Sequence, residues 1–471
     1  MMCARASGVS GNLATSSGRR AGSRCAMALA AAVLWAGAAA GPAPAPGAQP
    51  QVPPSPTRDD CLRLAGELDS QFREVLRLWF PRCVDKATGG FLERFAADWT
   101  HKPESGKFLV FQARMTWVAA EASAWAPELR EEFLGYARHG VKFLNEAMRD
   151  KEHGGVHYRL GPDGKPDPEL SAEKHAYGLS FAVYAAAAAW ERTRDAEALA
   201  LAKDTFSWLE AHAHDARNGG YFESLTREGK PRLAGAERRM DGIGTLLGFK
   251  SMNSHIHILE ALTSLYRVWP DPGLRARLEE ILAIVRDKIA VEPGCLSLFF
   301  TPDWRPVPAH DSFGHDIETA YLLVEAADAL GKPEDAAAWR IARSLVDHAL
   351  DWGFDGERGG FYEKGEAFSP AFDTSKGWWT QAEGLNALLL MHERFGKETG
   401  RYFEAARKQW KFIRDFQIDG KHGEWFGSVT REGKPLGDQD KASPWKAAYH
   451  DGRALMNGCR ILRRLAQSSE R

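Results

Sequence analysis

Apolar residues along this chain follow two alternating patterns. Long segments such as "HAYGLSFAVYAAAAAWERT" and "DAEALALAKDTFSWLEAHA" carry apolar positions at helical spacing, as do "GHDIETAYLLVEAADAL" and "PEDAAAWRIARSLVDHAL". Between the pairs stand short aromatic, strand-like runs that open on glycine turns. They are "GGFLERF" from Gly89, "GGVHYRL" from Gly154, "GGYFESL" from Gly219, "GCLSLFF" from Gly294, "GGFYEKG" from Gly359 and "HGEWFGS" from His422. Successive starts lie 65, 65, 75, 65 and 63 residues apart, which is a sixfold internal repeat. Each unit reads as a glycine turn, a strand-like run and two helices. Long β-branched runs are absent, which argues against a parallel sheet. One helix of each pair is small and apolar all round, as in "YAAAAAW", the character of a helix buried on every side. The expected fold is all-α: a closed (α/α)6 barrel of six helical hairpins, with short strand-like runs at the glycine turns and inner helices around a central pocket. An open solenoid is the alternative. The longest spacing comes from "TREGKPRLAGAERRMDGIG", residues 226–244, expected as a long loop over the pocket.

The stretch "KSMNSHIHILEALTSLYRVWP" from Lys250 has helical spacing but carries several polar residues. At about 100° per residue, Asn253, His257, Glu260 and Ser264 share an arc of roughly 60°. His255 points about 160° away from His257, into the apolar side. An inner helix has no solvent face, so a polar stripe on it must turn to the cavity, because unpaired buried polar groups are costly. Asn253 and His257 are therefore expected in the pocket, and His255 as a hydrogen-bonded packing residue. Other inner-helix starts carry similar residues: Arg114 in "FQARMTWVAAEA", and His315 and Glu318 on one face of "SFGHDIETAYLLVEAADAL". Trp378, Trp379, Gln381 and Glu383 open "KGWWTQAEGLNALLLM", and Trp445 and His450 stand in "KASPWKAAYHDGRALM". In a barrel these converge on one end of the cavity. Taken singly, each also has a structural reading, as an ion-pair partner or core aromatic.

Composition narrows the picture. The 471 residues are 44% apolar and 26% charged, enough to bury a large core, and the net charge of −2 gives no reason to expect nucleic acid or an anionic membrane as partner. Sixteen tryptophans fit a core and an aromatic-walled cleft. Arg19, Arg20 and Arg24 precede the apolar run Cys25–Ala40, which ends in an A-x-A pattern. Residues 1–40 are read as a signal peptide, with an uncleaved membrane anchor as the alternative, 41–57 as a Pro-rich linker and 58–471 as the barrel domain, exported to the periplasm or beyond and expected as a monomer. Cys61, Cys83, Cys295 and Cys459 show no C-x-x-C pair. A Cys61–Cys83 disulfide is an option in an oxidising compartment, but buried apolar thiols are the default. No cofactor or metal is expected: "DGIGTLLG" lacks the dinucleotide spacing, no H-E-x-x-H occurs, and His255 and His257 diverge too far to share one ion.

The stretches "KSMNSHIHILEALTSLYRVWP", "GHDIETAYLLVEAA", "WWTQAEGL" and "WKAAYHDGR" resemble the N-acylglucosamine 2-epimerase superfamily and, within it, the cellobiose 2-epimerases, over residues 88–453. The resemblance implies inversion at C2 of the reducing-end sugar of a β-linked disaccharide. The ring opens to the aldehyde, a base removes the C2 proton to give an enediol, and an acid returns a proton to the other face. Histidine, with an ordinary pKa of about 6.5, suits both tasks. By resemblance His315 and His450 are that pair, with their imidazoles within about 10 Å of one another, and Glu318 orients a histidine. Arg114 and His257 hold sugar oxygens and stabilise the enediolate. Asn253 contacts the sugar, Trp379 and Trp445 stack on a ring, and Trp378, Glu383 and Tyr177 complete the binding set. An aldose–ketose isomerase needs nearly the same residues. A glycoside hydrolase would use two carboxylates, Glu318 and Glu383, and leave the histidine pair unexplained. A sugar-binding protein would need the tryptophans but no acid/base pair. The apparent export departs from the relatives compared and points to an extracellular oligosaccharide.

Overall fold

The computed structural model describes residues 56–233 and 240–468. The expected signal peptide and nearly all of the linker lie outside the described residues. Thr57 caps α1 in a capping box with Asp60, and its hydroxyl accepts from the Asp60 amide at 3.1 Å.

Twelve α-helices run along the described chain: α1 (Arg58–Trp79), α2 (Leu109–Ala122), α3 (Arg130–Phe143), α4 (Ala176–Thr193), α5 (Ala196–His212) and α6 (Met252–Val268), then α7 (Pro272–Ile284), α8 (Phe313–Ala329), α9 (Ala336–Trp352), α10 (Trp378–Phe395), α11 (Arg401–Phe412) and α12 (His450–Ser468). The even-numbered helices form the inner ring, each packed on the next from α2 round to α12. The ring closes where the Arg114 guanidinium of α2 lies 5.1 Å from the Tyr449 ring and Trp117 meets the same ring edge-on at 5.2 Å. Inner helices are apolar all round because they have no outside: every residue of α2 is buried, and so is α4 from Ala176 to Ala189. Outer helices carry the amphipathic patterns and pack on their inner partners, α3 on α2, α5 on α4 and so on. Where α3 crosses α2, a Cβ at Gly140 would come within 2.0 Å of the Thr116 hydroxyl, so glycine sets that close approach.

One expectation needs correction. The sixth unit is followed by α12 alone, and its outer partner is α1, from the start of the domain. The first helix of the domain therefore packs on the last. Of the long loop, residues 234–239 lie outside the described residues, and in its described part Gly242 lies against Glu173 and His175. The four cysteines of the domain are free and buried.

The glycine turns are held by a device that recurs. Gly89 and Gly90 have φ of 84° and 66°, which other residues rarely adopt. In five of the six repeats an aspartate stands four residues before a turn glycine, and a lysine with no exposed surface stands ahead of the next inner helix. The pairs are Lys107–Asp85 at 2.7 Å, Lys174–Asp150 at 2.9 Å, Lys250–Asp215 at 2.8 Å, Lys376–Asp355 at 3.1 Å and Lys441–Asp419 at 2.6 Å. Most of these ammonium groups also donate to backbone carbonyls of the turn, such as Gly219 O at 2.6 Å for Lys250. Buried charge is tolerable here because each ion is paired and hydrogen-bonded. Gln112, His255 and Gln381 add a second clamp. Each stands in the first turn of its helix and accepts the backbone N–H of Phe91, Tyr221 or Phe361 at 2.7–2.9 Å. His255 is thus a packing residue, as its place on the apolar side of α6 predicts. Its Nδ1–H donates to Ser251 O at 2.7 Å, and burial drives its pKa down to about 4.

Candidate active site

The N-terminal ends of the inner helices surround a cavity of about 220 Å³. Arg114 of α2, Tyr177 of α4, Asn253 and His257 of α6, His315 and Glu318 of α8, Trp378 and Trp379 of α10, Trp445 and His450 all line it. Ten of the residues singled out in the sequence therefore come together in one place. The eleventh, Glu383, does not reach the cavity. It is fully buried behind His450, and its Oε1 accepts from His450 Nδ1 at 2.7 Å. The expectation that Glu383 binds sugar is corrected on this point: its carboxylate is committed to an imidazole and to Arg453.

The two proposed acid/base histidines flank one indole. The ring centroid of Trp379 lies 4.8 Å from that of His315 and 6.0 Å from that of His450. Gly314 permits this, since a Cβ there would sit 2.4 Å from the Trp379 ring. Each imidazole has a partner on the side away from the cavity. His315 Nδ1 bonds the Ser312 hydroxyl at 2.7 Å. His257 Nδ1 bonds Glu260 Oε2 at 2.9 Å. For His450 the network fixes the tautomer: Glu383 Oε1 also accepts from Arg453 Nη2 at 2.7 Å, so it carries no proton and takes the Nδ1–H of His450. That leaves the Nε2 lone pair of His450 free to act as a base. Glu318, expected to orient a histidine, is 3.9 Å from His450 Nδ1 and lines the cavity, so the orienting contact to His450 belongs to Glu383 instead.

One guanidinium organises the acids. Arg453, itself buried, donates to Glu260, to Glu318 at 2.5 Å, to Glu383 at 2.7 Å and to the Tyr449 hydroxyl at 2.6 Å. Burial pushes Glu260 upward, but Arg453 and His257 outweigh it and hold the carboxyl at about 2. Burial raises Glu383, opposed by Arg453. Burial lowers His315 to about 4 against the pull of Glu318. Burial and the neighbouring Arg114 carry His450 well below the usual imidazole range, again against Glu318. Both imidazoles are therefore neutral near pH 7, the form a base requires. Arg114 supplies positive charge at the opposite wall. Its Nη2 donates to the Tyr177 hydroxyl at 3.1 Å and its Nη1 to Trp445 O at 3.0 Å, while its Nε has no protein partner. Asn253 Oδ1 is likewise unpartnered. Trp445 stands at the rim, 40% exposed, and packs against Phe108 at 4.9 Å.

Arg453, Glu260 and Ser312 were given no role in the sequence. A signal existed: Glu260 follows His257 by three residues, Arg453 follows His450 by three, and Ser312 precedes His315 by three, the spacing that puts side chains on one helical face.

Residues 89–454 match the N-acylglucosamine 2-epimerase (GlcNAc 2-epimerase) family. The chain belongs to that family. Family membership makes it a carbohydrate epimerase or isomerase. It is 33% identical over 380 residues to a cellobiose 2-epimerase of Bacteroides fragilis, covering 80% of this chain and 94% of that protein. The structure of cellobiose 2-epimerase from Spirochaeta thermophila superposes with a TM-score of 0.77 at 34% identity, covering 88% of this chain and 100% of that one. A D-mannose isomerase of Marinomonas mediterranea is 25% identical over 402 residues, covering 81% of this chain and 94% of that protein. The relatives of this chain thus include a protein named D-mannose isomerase as well as cellobiose 2-epimerases.

Proposed function

We propose that this protein inverts C2 at the reducing end of a β-linked disaccharide such as cellobiose, by ring opening and proton transfer through an enediol between His315 and His450. The observation that carries the reading is the pairing of two neutral imidazoles on either side of Trp379, each held from behind so that it keeps one orientation. One histidine takes the C2 proton and becomes imidazolium. Arg114 and His257 hold the negative charge that develops on the enediolate oxygens. The other histidine takes a proton from solvent as that charge builds up and delivers it to the opposite face. Glu318 favours the protonated form of both rings, so it assists whichever one is acting as acid. Exchange with water then resets the pair. The closed end of the cavity suits the reacting ring, and the rim tryptophan, Trp445, suits stacking on the second ring. The Arg-bearing apolar leader in the sequence supports an extracytoplasmic oligosaccharide as substrate.

The D-mannose isomerase relative favours one second reading, in which the proton returns to C1 and the product is a ketose. One experiment separates the two. Cellobiose, N-acetylglucosamine and mannose are incubated separately with the enzyme in D2O and followed by NMR. Epimerisation yields a mannose-type reducing end carrying deuterium at C2. A ketose product would move the assignment to the isomerase, and no turnover of any of the three would remove the proposal.

A further inference from the structure

The fourth repeat lacks the ion pair that the other five share. Its position four residues before the marker glycine is Ala290, not aspartate. At the lysine position, two residues before the inner helix, stands Asp311. The register leaves no doubt about the equivalence: Lys107, Lys174, Lys250 and Lys376 pair with Leu160, Leu225, Phe300 and Val429, each six residues beyond a marker glycine, and Asp311 pairs with Gly365 at the same step. A buried cation has been replaced by a buried carboxylate, and its partner is gone. Two further groups gather around the change. Asp316 occupies the first-turn position that holds Gln112, His255 and Gln381 in other repeats, and His348 reaches in from α9.

We propose that Asp311, Asp316 and His348 form a binding site for a divalent cation of the zinc type, which ties α8 to α9 directly behind His315. His348 supplies the deciding observation. Its Nε2 lies 2.8 Å from Ala367 O, which can only accept, so Nε2 carries the proton and Nδ1 presents a lone pair. That lone pair faces Asp311 Oδ2 at 3.5 Å and Asp316 Oδ2 at 4.0 Å, and Nδ1 has no hydrogen-bond partner. A ring N–H given to a backbone carbonyl, with the other nitrogen turned to carboxylates, is the arrangement of a metal-ligating histidine. None of the four carboxylate oxygens makes a hydrogen bond of good geometry, although Asp311, Asp316 and His348 are 3%, 0% and 4% exposed.

The spans fit an ion. Atoms each about 2.1 Å from one zinc lie no more than about 4.2 Å apart, and the three ligand atoms already fall within 4.8 Å of one another. Closing on the ion asks only for small side-chain rotations. Without a cation the cluster is expensive. Two buried carboxylates with no well-formed hydrogen bond are costly to keep charged. Burial and both carboxylates push the nearby Cys295 thiol up to about 12. An ion restores what the lysine supplies elsewhere in the ring. A proton shared between the two carboxyls is the competing solution, and it predicts no metal.

The test is metal content and its thermal consequence. Untagged protein purified from zinc-supplemented culture is analysed by inductively coupled plasma mass spectrometry. Near-stoichiometric zinc is expected, with a melting temperature that falls on chelation and returns on adding zinc. Asp316→Asn keeps the side-chain shape, and should hold little zinc and lose the thermal response. Should that variant fold poorly, Ala290→Asp combined with Asp311→Lys rebuilds the ion pair of the other repeats, and should fold without zinc. Zinc-free wild-type protein whose melting is unmoved by chelator or zinc would overturn the site and assign the shared proton. Equal zinc in wild type and Asp316→Asn would overturn it too.

Discussion

Replacing Glu383 by glutamine isolates the device that sets the orientation of His450. The side chain keeps its shape and its oxygen, so Arg453 and His450 still find an acceptor, but the negative charge is gone. Glu383 Oε1 is 2.7 Å from His450 Nδ1 and both groups are buried. A unit charge about 4 Å from the imidazolium centre is worth about 4 kcal/mol at an effective dielectric constant near 20. Every step that places a proton on His450 Nε2 should therefore become harder by up to that amount, which corresponds to a loss in kcat on the order of 10²–10³, within the range for impaired general acid–base catalysis. KM should change little, because Glu383 does not reach the cavity. Arg453 retains Glu260 and Glu318, so the fold should persist, at a cost of about 1–3 kcal/mol for the weakened buried network. The assay is the initial rate of epimer formation from cellobiose by NMR, with kcat and KM resolved and circular dichroism as the folding control. A kcat within about threefold of wild type, or a loss confined to KM, would refute a positioning role for Glu383.

Other expectations follow from the same geometry. His450→Ala should lower kcat by about 10²–10⁴, whereas Trp445→Ala, which removes an indole at the rim, should raise KM about three- to tenfold and largely spare kcat; kinetics on a disaccharide will show the split. His255→Gln should be nearly neutral at pH 7, since Gln112 and Gln381 do the same work elsewhere. Because the folded-state pKa of His255 is lowered to about 4, wild-type stability is full above about 6.5 and declines as pH falls towards 4; the glutamine variant should lack that decline and be the more stable protein near pH 4.5, by on the order of 2 kcal/mol in urea titration. Lys250→Met leaves Asp215 buried without its ammonium partner and the Gly219 and Pro302 carbonyls without a donor, and should cost about 3 kcal/mol in urea unfolding, with partial recovery on adding Asp215→Asn.

How much was legible before folding differs between parts of the molecule. The glycine markers and the apolar character of "YAAAAAW" identify the repeat and the inner helices, because helical periodicity and burial on all sides leave direct traces in composition, and they favour a closed ring over an open solenoid. The polar arc of α6 likewise separates His257 from His255, since 100° per residue is a local property of the backbone. The aspartate four residues before a turn glycine, present in five of the six repeats, is equally visible, but a lysine 21 to 35 residues downstream carries no local sign of being its partner.

What the chain alone determines is therefore which side chains point inward. Which of them touch is decided by closure of the ring. Glu383 and His450 are 67 residues apart, and Arg453 and Glu260 are 193 apart. Glu383 sits on an inner helix as a polar residue facing inward, and nothing in its neighbourhood distinguishes a sugar contact from the backing of a histidine. The same holds for α1, whose amphipathic pattern reads as any outer helix, yet which packs on α12 from the far end of the domain. Periodicity acts over three or four residues. Partnership between repeats depends on how helices separated by dozens to hundreds of residues are brought edge to edge, and the cost of leaving a charge buried and unpaired then selects the few arrangements that survive.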